Sequence, residues 1–229
     1  MQRHPDLDVV DSLDLLSDVY GPVARDPLPL GNKPDVVDEL IYISLTLMTR
    51  SQPRIDRAFE GLRSLAPRGW SQLLECDRGD VTAVLRPLGF AERRTGQLLG
   101  MLREPLVASA DASNRLAALD DADLLAALTA LPGIGIKSAK CAMMYSLGRE
   151  VLPVDVHVAR VAERLGLLPP GLTLLQADAV LEHLVPPGLR FDVHVQFVRH
   201  GRDLCRKQSP RCSECPLAPR CPAALVSDA

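Results

Sequence analysis

The chain has 229 residues, a net charge of −3, and 47% apolar against 24% charged residues, values that exclude wholesale disorder. That length suits one large or two small domains and needs no disulfide staples. No apolar run approaches the roughly 18 residues of a membrane span, and the acidic start MQRHPDLDVVDSLDLL lacks the basic, apolar and small-residue regions of a secretory signal. A soluble, intracellular, cytoplasmic protein with no membrane partner is expected.

Charge is distributed unevenly. Residues 1–40 hold nine acids and three bases, a net of −6, so the remaining 189 residues carry +3. Six bases against two acids fall within 199–221. A mildly acidic total can therefore conceal a basic face suited to phosphate.

In chain order, apolar residues at three- and four-residue spacing predict helices over 9–20, 36–48, 54–65, 70–76, 80–88 and 92–102. The pattern continues over 111–119, 121–131, 136–147, 156–165, 174–184 and 191–205. Prolines and glycines punctuate these segments, and no alternating β-branched run is long enough to found a sheet. The fold class is all-α with short connections. Asp111, Asp120 and Asp121 stand where helices should start.

Four of six cysteines crowd into the C-terminal tract: Cys205, Cys212, Cys215 and Cys221, spaced C-x6-C-x2-C-x5-C. Disulfides need an oxidising compartment, which nothing here suggests. Structural zinc more often uses two close pairs set well apart. Four thiolates from one compact loop suit an iron–sulfur cluster, and spacing favours that over zinc without deciding it. Cys76 and Cys141 read as buried structural thiols.

Between two predicted helices lies LPGIGIKSA, residues 131–139. Gly133 and Gly135 flank Ile134 in a turn that lets backbone N–H groups grip a phosphate at a helix N-terminus. Lys137 sits in the first turn of the following helix, where the macrodipole disfavours an ammonium and frees the amine as a nucleophile; a surface lysine on phosphate is the plainer alternative. Eighteen residues on, Asp155 in VDVH stands before another helix, where a cap alone would explain it.

Hairpin, lysine, aspartate and four cysteines in this order resemble the endonuclease III family of helix–hairpin–helix DNA glycosylases with a 4Fe–4S cluster. The stretches that carry the resemblance are LPGIGIKSA, VDVHVARV (154–161), HGRDLC (200–205) and the cysteine tract. It implies a two-domain all-α fold: a six-helix barrel over 33–149, a cluster domain from 1–32 and 150–229, and a DNA cleft between them. It implies a monomer acting on double-stranded DNA with damaged or abasic nucleotides, and a 4Fe–4S cofactor on Cys205, Cys212, Cys215 and Cys221.

The resemblance also implies a bifunctional glycosylase and abasic-site lyase that removes oxidised pyrimidines. Lys137 would be the Schiff-base nucleophile and Asp155 its catalytic partner, with strand cleavage 3′ to the lesion by β-elimination. Gln52 and Phe90 match positions that the family inserts into the duplex. His157 matches the family's Asp-x-His, and Gly133, Ile134, Gly135, Lys207 and Arg211 would hold the DNA backbone. The sequence departs from the family at Pro53-Arg54-Ile55, at Phe90 where Leu is common, and at Ile136 where Arg is common. These departures admit a catalytically weak or non-catalytic damage-binding member, or a shifted base specificity. An adenine-removing mismatch glycosylase would lack the lysine and usually carry a further C-terminal domain, and an electron-transfer protein would leave the hairpin unexplained.

Overall fold

The computed structural model describes residues 8–49 and 51–227. Residues 1–7 and 228–229 of the expected cluster domain, and residue 50 of the expected barrel, lie outside the described residues. Those described are helical with no strand among them, in accord with the all-α class. They divide into two compact units, one of residues 30–149 and one joining residues up to 29 to those from 150 onward. No helix among them is long and apolar enough to cross a membrane.

The helices are α1 (Val9–Tyr20), α2 (Val36–Thr46), α3 (Gln52–Leu65), α4 (Arg78–Leu85), α5 (Ala91–Arg103), α6 (Pro105–Ala108) and α7 (Ala112–Ala117). They continue with α8 (Asp121–Thr129), α9 (Ile136–Leu147), α10 (Val156–Arg164), α11 (Leu174–Leu184), α12 (Arg190–Asp203) and α13 (Pro222–Ser227). Much of the acidic composition has a local task. Asp8, Asp35, Asp77, Asp120, Asp155 and Thr173 each accept a first-turn backbone N–H and so fix where a helix begins.

Several expectations are corrected. The segment 70–76 is a 3-10 helix, Trp70–Leu74, rather than a helix to Cys76. The helix expected over 80–88 ends at Leu85, and a 3-10 turn, Arg86–Leu88, follows because Pro87 has no N–H to continue the ladder. Helix α3 starts two residues early because Pro53 is tolerated in a first turn. Asp111 makes no side-chain cap bond. Cys141 is buried as expected, whereas Cys76 is only half-buried and donates to Gln72 O at 3.4 Å. Neither α6 nor α13 has a counterpart in the apolar pattern; each opens on a proline, Pro105 and Pro222.

In the 30–149 unit, α2 is the central element. Val36, Val37, Leu40, Ile41, Ile43 and Leu45 are all buried, and α9 and α3 pack on it. With only 3% aromatic residues, the core is mostly aliphatic, and three of its aromatic rings form one column. Tyr42 meets Phe59 edge-on at 5.6 Å and Phe59 meets Trp70 at 5.3 Å, while Arg63 covers Trp70 at 3.9 Å.

Glu39 lies inside this packing with no exposed surface. One carboxyl oxygen accepts the Lys33 backbone N–H at 2.6 Å, and the other has no partner among the described residues. Burial pushes its pKa up to about 8, against the smaller opposing pull of that hydrogen bond and of the Lys137 and Lys33 charges. The folded state thus holds a proton that the unfolded chain releases near the ordinary carboxylate pKa. The contribution is complete below that pKa and is lost as pH rises toward about 8. Glu39→Gln keeps the acceptor for Lys33 and removes the titration. Its melting temperature should match wild type near pH 5, exceed it at pH 8, and vary less with pH; equal pH dependence in the two proteins by thermal denaturation would refute this.

In the other unit α12 is the buried axis, with Val193, Val195, Phe197 and Val198 inside, and both α1 and α10 pack on it. Polar contacts hold α1 there. Gln196 donates to Gly21 O at 2.9 Å, Tyr20 donates to Asp203 at 3.3 Å, and Arg220 pairs with Asp11 at 2.9 Å. Gly201 permits the close approach of α10, since a Cβ there would stand 2.9 Å from that of His157.

Candidate functional site

The hairpin residues belong to the 30–149 unit. Leu131 O accepts the Ile134 N–H at 3.1 Å, and the Ile134 side chain is buried. Ile134 therefore anchors the turn, and the exposed part of LPGIG is its two glycines. Gly133 has φ +83°, a left-handed conformation that favours glycine, and the Gln97 side chain packs against it. Gly135 differs: its φ is −99° and an added Cβ would meet nothing within 4 Å. The fold does not require glycine at 135; a large partner approaching the backbone from outside would.

Gly135 is also the N-cap of α9 and gives no side-chain cap, so Ile136 and Lys137 form an uncapped first turn. Lys137 is half-buried. The body of α9 behind it, Ser138 to Tyr145, is buried without a break. The lysine therefore rides on a rigid element whose position the core fixes.

Asp155, His157, the cysteines, Lys207 and Arg211 belong to the other unit. Asp155 caps α10, accepting from His157 N at 2.8 Å and Val158 N at 2.9 Å through one oxygen, Oδ1. His157 is half-buried, its Nδ1 lies 3.0 Å from Arg160, and burial lowers its pKa despite the nearby Asp155 carboxylate. It is built into the packing of α10 against α12.

The four cysteines share one cavity of about 180 Å³, which His200, Arg164 and Arg211 also line. All four carry free thiols. Among the described residues no three His, Cys, Asp or Glu side chains are drawn together as a single ion would require; tetrahedral zinc would hold sulfurs roughly 3.8 Å apart on Zn–S bonds of about 2.3 Å. Burial, with like charge from neighbouring cysteines, pushes the Cys215 and Cys221 thiols up. Thiols so crowded need a cationic centre to become thiolates. Four cysteines lining one cavity offer the thiol donors that a metal centre would need.

Two arginines that the sequence reading did not single out organise this loop. Arg160 donates to Cys205 O at 3.0 Å and Gly201 O at 2.7 Å. Arg164 donates to Arg206 O at 2.7 Å and Cys205 Sγ at 3.3 Å. Their spacing of four in VARVAER, facing one side of α10, was the available signal. Lys207 is exposed. Arg211 pairs with Asp203 at 2.6 Å and Glu214 at 3.2 Å, so a phosphate would have to compete for it.

Gln52 and Phe90 have opposite surroundings. The Gln52 amide donates to the Tyr42 hydroxyl and to Asp56 at 2.9 Å, which ties it back onto the protein. Phe90 is 67% exposed with φ +52°. Of the departing segment, Pro53 and Arg54 are exposed while Ile55 is buried, so Ile55 serves the core.

The architecture together with this hairpin and cysteine tract defines the helix–hairpin–helix DNA glycosylase fold. A trapped endonuclease III–DNA covalent intermediate superposes with a TM-score of 0.78 at 19% identity, covering 96% of this chain and 97% of that one. A thermostable thymine-DNA glycosylase superposes at 0.71 with 17% identity, covering 93% of this chain and 95% of that one. No family model matches the sequence. Endonuclease III of Bacillus subtilis is 37% identical over 94 residues, 41% of this chain and 43% of that protein. The Escherichia coli K12 enzyme is 35% identical over 96 residues, 42% of this chain and 45% of the relative. That of Treponema pallidum is 34% identical over 119 residues, 52% and 56% respectively. The chain thus spans about half the length of these three relatives. It is endonuclease III-like, in fold over nearly all of its length and in sequence over about half.

The Asp155 cap gives a direct test of its structural share. Asp155→Ala should cost about 1 kcal/mol, a fall of roughly 2–4 °C in melting temperature for a chain of this size. Asn caps about as well as Asp, so Asp155→Asn should melt within about 1 °C of wild type. Equal losses in both variants would show that charge, not capping, stabilises α10.

Proposed function

We propose that this protein is a base-excision DNA glycosylase with abasic-site lyase activity, acting on oxidised pyrimidines in duplex DNA at the chromosome. The observation that carries the proposal is Lys137 in the first turn of α9, beside a glycine that the fold itself does not need. Gly133 and Gly135 would admit the phosphate backbone to the hairpin, and exposed Lys207 would add a salt-dependent contact. Residues 33–149 form the barrel domain in this reading, and 1–32 with 150–229 the cluster domain.

The target base is stacked and its C1′ shielded, so the nucleotide must leave the helix at a cost of a few kcal/mol, which damage reduces. Lys137 Nζ, deprotonated, then attacks C1′, and the C1′–N bond breaks with its electron pair leaving on the base. Asp155 stabilises positive charge developing at the sugar and takes up the proton released by the attacking amine. The sugar ring then opens: the C1′–O4′ bond breaks as O4′ takes the proton held on Asp155, which leaves a protonated imine between Lys137 and C1′ that acidifies the C2′ proton. Its loss expels the 3′ phosphate and cuts the strand. A hydroxyl or amide at 137 could not form that iminium.

Cys205, Cys212, Cys215 and Cys221 would hold a 4Fe–4S cluster, which when bound would cross-link the basic loop and fix its shape. Arg164, with Nη1 3.3 Å from the Cys205 sulfur, would face the negative charge of a cysteine holding metal. Protein purified without air should contain about four irons and four sulfides per chain, and Cys212→Ser should lose them. Stoichiometric zinc without iron, measured by elemental analysis, would overturn this assignment.

Borohydride should trap a covalent adduct between the protein and DNA carrying an abasic site or thymine glycol. Lys137→Gln should abolish trapping while lesion binding stays within about threefold. Asp155→Asn should slow base release by about 100-fold or more with binding little changed, because the lost charge matters most when the sugar is cationic. A folded Lys137→Gln protein that traps at the wild-type rate would refute the lysine. Wild-type protein that binds damaged DNA but never cuts it would establish the non-catalytic reading instead.

A further inference from the structure

Helix α1 stands far from the cysteine tract in the chain, yet its side chains are tied to it. Its last residue, Tyr20, is 180 residues from His200, and its hydroxyl lies 3.3 Å from His200 Nδ1 with the two rings edge-on. His200 is 1% exposed, and its other ring nitrogen, Nε2, lies 3.5 Å from the Cys215 sulfur. A cysteine that holds metal has lost its proton, so its sulfur accepts and the Nε2–H donates. The Tyr20 hydroxyl, on the opposite nitrogen, keeps the ring turned toward that sulfur.

The same hydroxyl lies 3.3 Å from Asp203, two residues before Cys205. Asp203 in turn holds Arg211, next to Cys212, at 2.6 Å. In the first turn of α1, Asp11 pairs at 2.9 Å with Arg220, next to Cys221. One short helix therefore reaches either the sulfur or the near neighbours of all four cysteines. Packing accounts for Val9, Leu13 and Leu16 of α1, which are buried. It does not account for a hydroxyl set between His200 and Asp203, or for an acid facing Arg220. An ion pair as exposed as Asp11–Arg220 contributes little by itself, so its value lies in what it joins.

We propose that α1 is a latch on the metal centre: Tyr20 orients His200, a positioning residue that donates to the Cys215 sulfur, and α1 and the loaded tract hold each other in place. The proposal rests on the cluster assignment given above. Coupling of this kind is reciprocal, so loosening α1 weakens metal retention by the factor by which metal loss frees α1. A donor at the sulfur also favours the more negative, reduced state of a cluster, so His200 raises its reduction potential.

The test uses full-length protein purified without air. Tyr20→Phe keeps the ring and removes the hydroxyl, and its iron should pass to a chelator about tenfold faster than that of wild type. Thr173, in the same unit, bonds to Gln176 of its own helix. Thr173→Ala thus lowers stability without touching the latch, and its iron release should stay within about twofold of wild type. In the reverse direction, stripping the iron from wild type should speed amide hydrogen exchange in α1 by about tenfold, and in α11 by no more than about threefold. His200→Leu should lower the reduction potential of loaded protein, and His200→Gln, which keeps an N–H donor, should restore it toward wild type. Iron release from Tyr20→Phe no faster than from Thr173→Ala overturns the latch and leaves the cluster standing, as does an equal gain in exchange in α1 and α11. An unchanged potential in loaded His200→Leu overturns the role of His200. Wild-type protein that holds no iron removes the cluster assignment and the latch together.

Discussion

Packing of α9 on α2 is the contact on which the 30–149 unit and its candidate chemistry depend. Helix α2 gives up nearly every side chain to the interior, and α9 is buried from Ser138 through Tyr145. A helix so enclosed cannot tilt or slide without opening cavities, which well-packed cores resist. Its first turn projects from that packing with Lys137 on it. The backbone that carries the lysine is fixed by a mostly aliphatic core. Gly133 and Ile134 complete the mounting, one by supplying the left-handed turn and the other by burying its side chain.

The second unit solves a different problem with charge. Its cysteine tract has little regular structure, only the short turns at Cys212–Glu214 and Ala218–Arg220. Backbone carbonyls in such a tract need donors, and Arg160 and Arg164 supply them from the neighbouring helix. The Arg164 guanidinium that donates to the Arg206 carbonyl also lies 3.3 Å from the Cys205 sulfur, so one side chain ties the loop backbone to a cysteine. Asp155 is used twice in a similar way, as the cap of α10 and as the candidate carboxylate.

Much of the fold was legible because helix starts are written in side chains. Helices α1, α9 and α11 have the limits that periodicity predicts, and prolines explain the departures at Pro53, Pro87 and Pro105, whereas Trp70–Leu74 becomes a 3-10 helix and α2 ends at Thr46 with no proline in either. The hairpin and the shared cysteine cavity were legible because close spacing in the chain forces closeness in space. Arg160 and Arg164 were not. An arginine that serves backbone carbonyls has no acidic partner in the sequence to announce it. Gln52 shows the converse: its position within a motif resemblance said nothing of Tyr42, which meets it only after α2 and α3 have packed.

The division of the chain also sets an order of events during synthesis. Residues 30–149 are contiguous and can close their core once α9 has emerged from the ribosome. Helix α1 emerges first, yet α12, on which it packs, and Arg220, which pairs with Asp11, come last. At roughly 5–20 residues per second, its apolar face stays uncovered for on the order of ten seconds or more while the intervening chain is made. The acidic side chains on α1, Asp11, Asp14 and Asp18, give this waiting segment a charge that discourages premature association. Helix α1 is thus made long before the helix that secures it, and a chain truncated before α12 would lose its main packing surface.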